Sequence, residues 1–293
     1  MKRVFIVNPV SGNGRALNII KALKEVCDTE NLDYQIIYTE KPGDAKKVAE
    51  KFCSSFEDII VYSVGGDGTL NEVVNGIAMS NTVLGVIPAG TGNDFYKTIK
   101  KSNRLFEEVD VGKVNERYFI NVASVGIDAK IANRANELKK KKFLSGIVYY
   151  IAIALELANM ESIKLKIDDR DFFEEKTLLA ICNGRYYGNG MMISPNALIN
   201  DGMFDVYEVN KLTRLQTLKM FKLLLQKKHE ESNLIEHYQI DYLNVDSPVP
   251  LICNVDGEIM IDNKFVFENI ERGIKLLTRD HHKIMSLHDK FHK

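Results

Sequence analysis

Four short apolar runs, each closed by a polar or glycine-rich break and a helical stretch, dominate the first hundred residues and most constrain the fold. They are RVFIVN (3–8), YQIIYT (34–39), DIIVYSV (58–64) and VLGVIPAG (83–90). Helical patterns follow the first three, near 15–30, 44–55 and 67–79. In the last of these, Leu70, Val73, Val74 and Ile77 recur at the i, i+3, i+4, i+7 spacing of one helix face. Continuously apolar strands, rather than alternating ones, predict a parallel sheet covered by helices on both sides.

The pattern changes after about residue 105. Strand-like runs now follow one another: RYFINVASV (117–125), IKLKID (163–168), KTLLAICNG (176–184), MFDVYEV (203–209), YLNVDS (242–247), PLICNVDGEIM (250–260) and KFVFENI (264–270). Helical stretches interrupt them only near 130–158 and 213–230, which predicts a largely antiparallel second domain. A chain of 293 residues is long enough for two domains. We expect 1–120 to be an α/β domain and 121–293 a β-rich domain, with the C-terminal tail free to fold back on the first. The net charge of −1 excludes a general nucleic-acid binder. Cys27, Cys53, Cys182 and Cys253 form no CxxC pair and read as free thiols. The longest charge-free apolar stretch, 143–155, is too short to span a bilayer.

Three loops carry the chemical signal: NPVSGNG (8–14), GGDGT (65–69) and PAGTGND (88–94), each after a predicted strand. Ligands of parallel α/β sheets bind at the carboxyl ends of the strands. Glycines there let backbone N–H groups approach phosphate oxygens, with a helix N-terminus behind them. Asp67 repels a phosphate but can hold the Mg²⁺ that neutralises it, and its position also suits a helix N-cap. Thr69 and Thr91 can donate to phosphate oxygens. No GxxxxGK[ST] pattern is present, which excludes a P-loop NTPase, and the protein-kinase motifs are absent.

VGGDGTLNEVVNG (64–76), with NPVSGNGR (8–15) before it and PAGTGNDF (88–95) after it, resembles the diacylglycerol-kinase catalytic family, relatives of sphingosine and ceramide kinases. NVASVGIDA (121–129), NALINDGMFDV (196–206) and NVDGE (254–258) extend the resemblance over nearly the whole chain. GGDGT alone would be shared with NAD kinases and phosphofructokinases, whose soluble acceptors make them the rival reading. A nucleotide- or lipid-binding regulator without activity is a second rival.

The resemblance implies an NAD-kinase/diacylglycerol-kinase-like α/β domain with a parallel sheet, followed by a largely antiparallel β-sandwich. It implies an ATP- and Mg²⁺-dependent lipid kinase, with diacylglycerol as the expected acceptor. ATP would lie along Asn8, Pro9, Ser11, Gly12 and Thr39. Gly65, Gly66, Asp67, Gly68, Thr69, Leu70, Asn71 and Glu72 would face its phosphates, with Asp67 reaching Mg²⁺. Thr91 and Asp94 would complete the cleft. Glu258 would be the general base with Asp256 beside it, although Asp256-Gly257 is also a hairpin-turn signal. Asp128 would meet the lipid headgroup.

A structural Mg²⁺ is implied at Asp201 and the carbonyls of Leu198 and Met203. Asn200 stands where many members carry a second Asp, and a β-turn fits Asn200-Asp201-Gly202 equally well. The resemblance implies a cytoplasmic enzyme, transiently at the inner membrane face, in a group whose soluble bacterial members are often homodimers. Lys139–Lys142 with 143–157, or the stretch 220–228, could supply the peripheral membrane contact, and core helices with solvated lysines explain both as well.

Overall fold

The computed structural model describes residues 1–53, 58–99, 106–139, 161–279 and 284–291. They form two compact units. The first comprises Met1–Val111, Ile199–Asp201 and Ile270–Lys293, and the second Gly112–Leu198 and Gly202–Asn269.

The first unit is built as the apolar runs predict. Strands β1 (Lys2–Val7), β2 (Tyr34–Tyr38), β3 (Ile59–Gly65) and β4 (Val83–Pro88) alternate with helices α1 (Arg15–Thr29), α2 (Asp44–Cys53) and α3 (Asp67–Ile77). A short helix α4 (Asp94–Ile99) and strand β5 (Phe106–Val114) follow, and β5 passes into the second unit at Gly112. The sheet order is β2-β1-β3-β4, all parallel. The chain leaves β1 in one direction for β2 and returns on its other side as β3. The crevice beyond the carboxyl ends of β1 and β3 is therefore the switch point where such sheets bind ligands.

Leu70, Val73, Val74 and Ile77 are all buried, as their spacing requires. Phe5 stacks on Tyr62 at 4.6 Å between ring centroids, a contact of about 1 kcal/mol beyond its buried area.

The second unit contains β6 (Arg117–Phe119), β7 (Val122–Gly126), helix α5 (Ile127–Lys139), β8 (Ile163–Ile167) and β9 (Glu174–Cys182). A short hairpin of β10 (Tyr186–Tyr187) and β11 (Met191–Met192) precedes β12 (Phe204–Asn210) and α6 (Arg214–Leu225). Then come β13 (Ile235–Ile240), β14 (Tyr242–Val255) and β15 (Glu258–Leu277). The order β13-β12-β9-β7-β14-β15 is antiparallel throughout.

The sheet also closes on itself. One end of β14 pairs with β7 and the other with β8, and β9 likewise pairs with both β7 and β8. This wrap encloses an apolar core around Phe119, Phe204, Leu243 and Phe267, which accounts for a sandwich-like layering.

The sequence runs 242–247, 250–260 and 264–270 are two long strands, not three. β14 passes through Pro248 and Pro250 because its register slips between Asp246 and Leu251, where the missing N–H donors cost no ladder bond. The end of β15 leaves the second unit and pairs in parallel with β4, Lys275 opposite Val83. Strands β5 and β13 were not expected from the sequence. All four cysteines are free, and burial pushes the Cys182 and Cys253 thiols up. The whole of the 143–157 stretch lies outside the described residues.

Candidate active site

In the first unit the three glycine loops meet. Asn8 continues the β1 ladder through its N–H to Val64 O (3.0 Å), while its side-chain Nδ2 donates to Thr69 Oγ1 at 3.2 Å. The Asn8 Oδ1 accepts the Val10 N–H, folding NPVSG into a tight turn over Pro9 and Ser11. Gly12 lies against the Ala89 carbonyl. Thr39 leaves β2 beside this turn, with its N–H on Val7 O at 2.9 Å.

Gly66 and Gly90 sit back to back. A Cβ on Gly90 would fall 2.5 Å from Gly66 Cα, so GGDGT and PAGTGND can touch only as glycines. The Gly65 carbonyl accepts both the Ala89 and Gly90 N–H groups. Asp67 opens α3 and its Oδ1 accepts the Asp94 N–H at 2.6 Å, joining the starts of α3 and α4. Gly68 and Thr91 are exposed, while Thr69 and Asp94 are buried, and Asp94 pairs with Lys97 Nζ at 3.0 Å.

Not every residue of the GGDGTLNE run belongs to this surface. Leu70 and Asn71 are buried in α3. The Glu72 carboxylate accepts the N–H groups of Gly43 (2.8 Å) and Ala45 (3.0 Å), so it holds the start of α2. Two residues that the motif reading did not single out do belong. Asn93 exchanges hydrogen bonds with Gly90, accepting at 3.0 Å and donating at 2.9 Å, and Arg15 Nη1 donates to Gly90 O at 3.2 Å. The Gly-Thr-Gly-Asn order was the available signal for Asn93. Arg15 also brings a cation to the rim of the loops, beside the N-terminus of α3.

The metal expectations divide. One carboxylate, Asp67, with phosphate oxygens and water is a donor set that suits Mg²⁺, which binds few protein ligands and keeps substrate oxygens. Leu198, Asp201 and Met203 are exposed along the turn into β12, where Gly202 adopts φ +75°. Among the described residues no group of three or more His, Cys, Asp or Glu side chains could hold a metal.

In the second unit, Asp256 and Gly257 form the two-residue turn between β14 and β15, with φ of 52° and 95°. Positive φ at both positions is the twist that hairpins prefer. Val255 pairs with Glu258 across it. The Asp256 carboxylate accepts three backbone N–H groups, from Ile120 at 2.7 Å and from Asn121 and Val122 at 3.0 Å. It thereby fixes the turn to the segment between β6 and β7. Glu258 is exposed at the head of β15, with no hydrogen bond or ion pair among the described residues.

The two acids are therefore unlike: one braces, the other is available. Asp256→Ala should lower unfolding free energy by on the order of 3 kcal/mol, because three N–H groups lose their acceptor. Urea denaturation measures it, and a change under about 1 kcal/mol would refute the brace.

Asp128 lies in the first turn of α5, 3% exposed. Gly126 (φ +119°) lets the end of β7 pass close to the Thr177 carbonyl and so seats this turn. Oδ1 of Asp128 accepts the Ala129 N–H, whereas Oδ2 has no partner among the described residues. Burial pushes the carboxyl up to about 6. The Ser124 hydroxyl and the Ala129 N–H oppose this.

Asp128 lines an apolar cavity of about 90 Å³ with Ile131, Leu178, Ile193, Tyr207, Phe221 and Leu224. Its other polar groups are largely engaged: Tyr207 donates at 2.6 Å to Glu230, and His229 Nε2 meets Ile193 O at 2.7 Å. Among the described residues His229 Nδ1, like Asp128 Oδ2, has no partner.

A carboxyl raised by burial favours the folded state only while protonated. That contribution is present below the ordinary carboxyl value of 3.8 and is lost as pH rises through about 6. Asp128→Asn should therefore raise the midpoint of thermal unfolding at about pH 7.5, by up to about 3 kcal/mol of stability, and confer no advantage near pH 4. Equal gains at both values would contradict the burial argument.

A parallel α/β unit with phosphate-type loops at its strand ends, joined to an antiparallel unit with an available carboxylate, has the make-up of a two-domain kinase. The family comparisons agree with that class. Residues 2–119 match the diacylglycerol kinase catalytic domain, and residues 121–277 match the YegS C-terminal NAD kinase beta sandwich-like domain. The chain belongs to the diacylglycerol kinase family of lipid kinases.

It is 30% identical over 289 residues to a diacylglycerol kinase of Staphylococcus epidermidis (strain RP62A), covering 94% of this chain and 91% of that one. A diacylglycerol kinase of Staphylococcus aureus (strain Newman) is 33% identical with the same coverage. A crystal structure of a diacylglycerol kinase from Bacillus anthracis superposes with a TM-score of 0.70 at 25% identity, over 94% of this chain and 96% of that one. Among the described residues, no helix is long and apolar enough to cross a membrane.

Proposed function

We propose that the protein transfers the γ-phosphoryl of ATP, with Mg²⁺, to the hydroxyl of diacylglycerol, forming phosphatidic acid. The observation that carries this reading is the convergence of Asn8, Gly66–Thr69 and Gly90 at the strand switch point, with Asp67 at the N-terminus of α3. Backbone N–H groups and the helix dipole there suit a nucleotide's phosphates, and Arg15 adds a cation. Mg²⁺ held by Asp67 would neutralise charge on the transferred group. Phosphoryl transfer also needs a hydroxyl relieved of its proton, and Glu258 is the carboxylate left available for it.

The apolar cavity supports a lipid acceptor. An acyl chain matches its walls, and Asp128 Oδ2, without a partner among the described residues, can accept from a lipid hydroxyl at its edge. The choice of diacylglycerol rests on the names of the relatives.

The test is phosphate transfer from γ-labelled ATP into organic-extractable product across a panel of lipid alcohols in mixed micelles, with Asp67→Ala as control. Label in diacylglycerol that disappears in the variant is the expected result. Label appearing instead in NAD⁺ or a sugar phosphate overturns the lipid acceptor.

A further inference from the structure

Helix α6 carries apolar residues on all sides, yet only Thr217 along it is buried. Met220, Phe221 and Leu224 face the cavity. At about 100° per residue, Leu215 lies opposite these residues, and Leu218 and Leu225 lie on the arc between Phe221 and Leu215. They are 80%, 51% and 54% exposed. The outward face of a surface helix is ordinarily polar, so three leucines there leave apolar area uncovered.

Cations surround them. Arg214, Lys219 and Lys222 share this side, and Lys227 and Lys228 follow the helix. None of the five has an acidic partner among the described residues, whereas the preceding Lys211 is paired with Glu175. Of the acids just beyond, Glu230 is hydrogen-bonded to Tyr207, leaving Glu231 exposed.

A second apolar pair lies at the same end of the β9–β12 ladder. Asn210 is opposite Lys176, and the Lys211 N–H meets Glu175 O, just after Phe172 and Phe173, which are 65% and 45% exposed.

We propose that the outer face of α6 docks the enzyme on an anionic bilayer, with Leu215, Leu218 and Leu225 entering the headgroup boundary and the five cations among the headgroups. This rests on the lipid-kinase reading and names the surface through which that kinase meets its substrate's membrane. Twelve residues at about 1.5 Å each are too short to span, so the helix lies in the interface plane. Charge complementarity selects the occupant. A second copy would set five unpaired cations against five more, whereas anionic lipid attracts them. Because the same helix walls the cavity, docking brings the cavity to the layer that holds the lipid.

Flotation with phosphatidylcholine vesicles, with and without phosphatidylglycerol, tests the proposal on the full-length protein. The wild type should float with the anionic vesicles and release at high salt. Leu215→Glu with Leu218→Glu should cut partitioning at least about tenfold. Lys219→Gln and Lys222→Gln should each reduce it about fivefold. Phosphorylation of a short-chain diacylglycerol dispersed as monomers should be unchanged in all of them. Unaltered flotation in both sets of variants overturns the docking assignment, as does a dimer that dissociates in the leucine variant while flotation persists. Absence of short-chain phosphorylation by the wild type would instead refute the kinase reading, and flotation would still decide the role of α6.

Discussion

Glu258→Gln is expected to lower turnover at least about 100-fold, equivalent to about 2.7 kcal/mol of transition-state stabilisation. The substitution is nearly isosteric at an exposed position whose carboxylate has no hydrogen-bond or ion-pair partner among the described residues, so the thermal midpoint should stay put. A loss of rate without loss of stability is what separates a proton acceptor from a brace. The neighbouring Asp256 should behave in the opposite way, because its carboxylate holds three backbone N–H groups. Glu258→Asp, which keeps a carboxylate one methylene shorter, should retain part of the activity. Steady-state kinetics on mixed micelles reads all three. Near-normal turnover by a folded Glu258→Gln protein would remove Glu258 as the base.

Asp67→Ala should be as severe, at least about 100-fold, for two separable reasons. It removes the carboxylate that would reach Mg²⁺, and it frees the Asp94 N–H that Oδ1 accepts at 2.6 Å. The second loss alone would cost stability by about 1 kcal/mol. Asp67→Asn keeps an oxygen acceptor for that N–H while removing the charge. If the metal role is right, Asn should be nearly as inactive as Ala, with most of the stability restored and the Mg²⁺ concentration dependence of the residual rate shifted upward. An Asn variant with wild-type activity would show that Asp67 serves only to join α3 to α4.

The parallel half of the fold and its loops were legible in the sequence because local signals coincide there. Apolar runs of strand length, glycines at their ends and the i, i+3, i+4, i+7 pattern of α3 agree, and the structure has each within a few residues. β13 was hidden because IEHYQI carries three polar residues, one of them His237 seated on Asp205 at 2.7 Å, a partner 32 positions away. Pro248 and Pro250 read as a break, yet β14 absorbs them in a register slip. The last part of β15 lies beyond the final strand run, 264–270, and its pairing with β4 makes it strand.

The sequence by itself determined the fold class, the family and the residue types available for phosphate, metal and proton chemistry, since these follow from periodicity and motif order. Tertiary structure alone decided how like residues divide their labour. Two acids one residue apart become a brace and an available carboxylate. Glu72, in the middle of a phosphate-type motif, turns to the start of α2, while Asn93 and Arg15 close on Gly90. Asp128 becomes distinctive only because neighbouring strands and helices remove it from water. Spacing along a chain fixes which groups can be near, but hydrogen-bond partners and burial depend on segments a hundred residues apart, and those determine what a carboxylate can do.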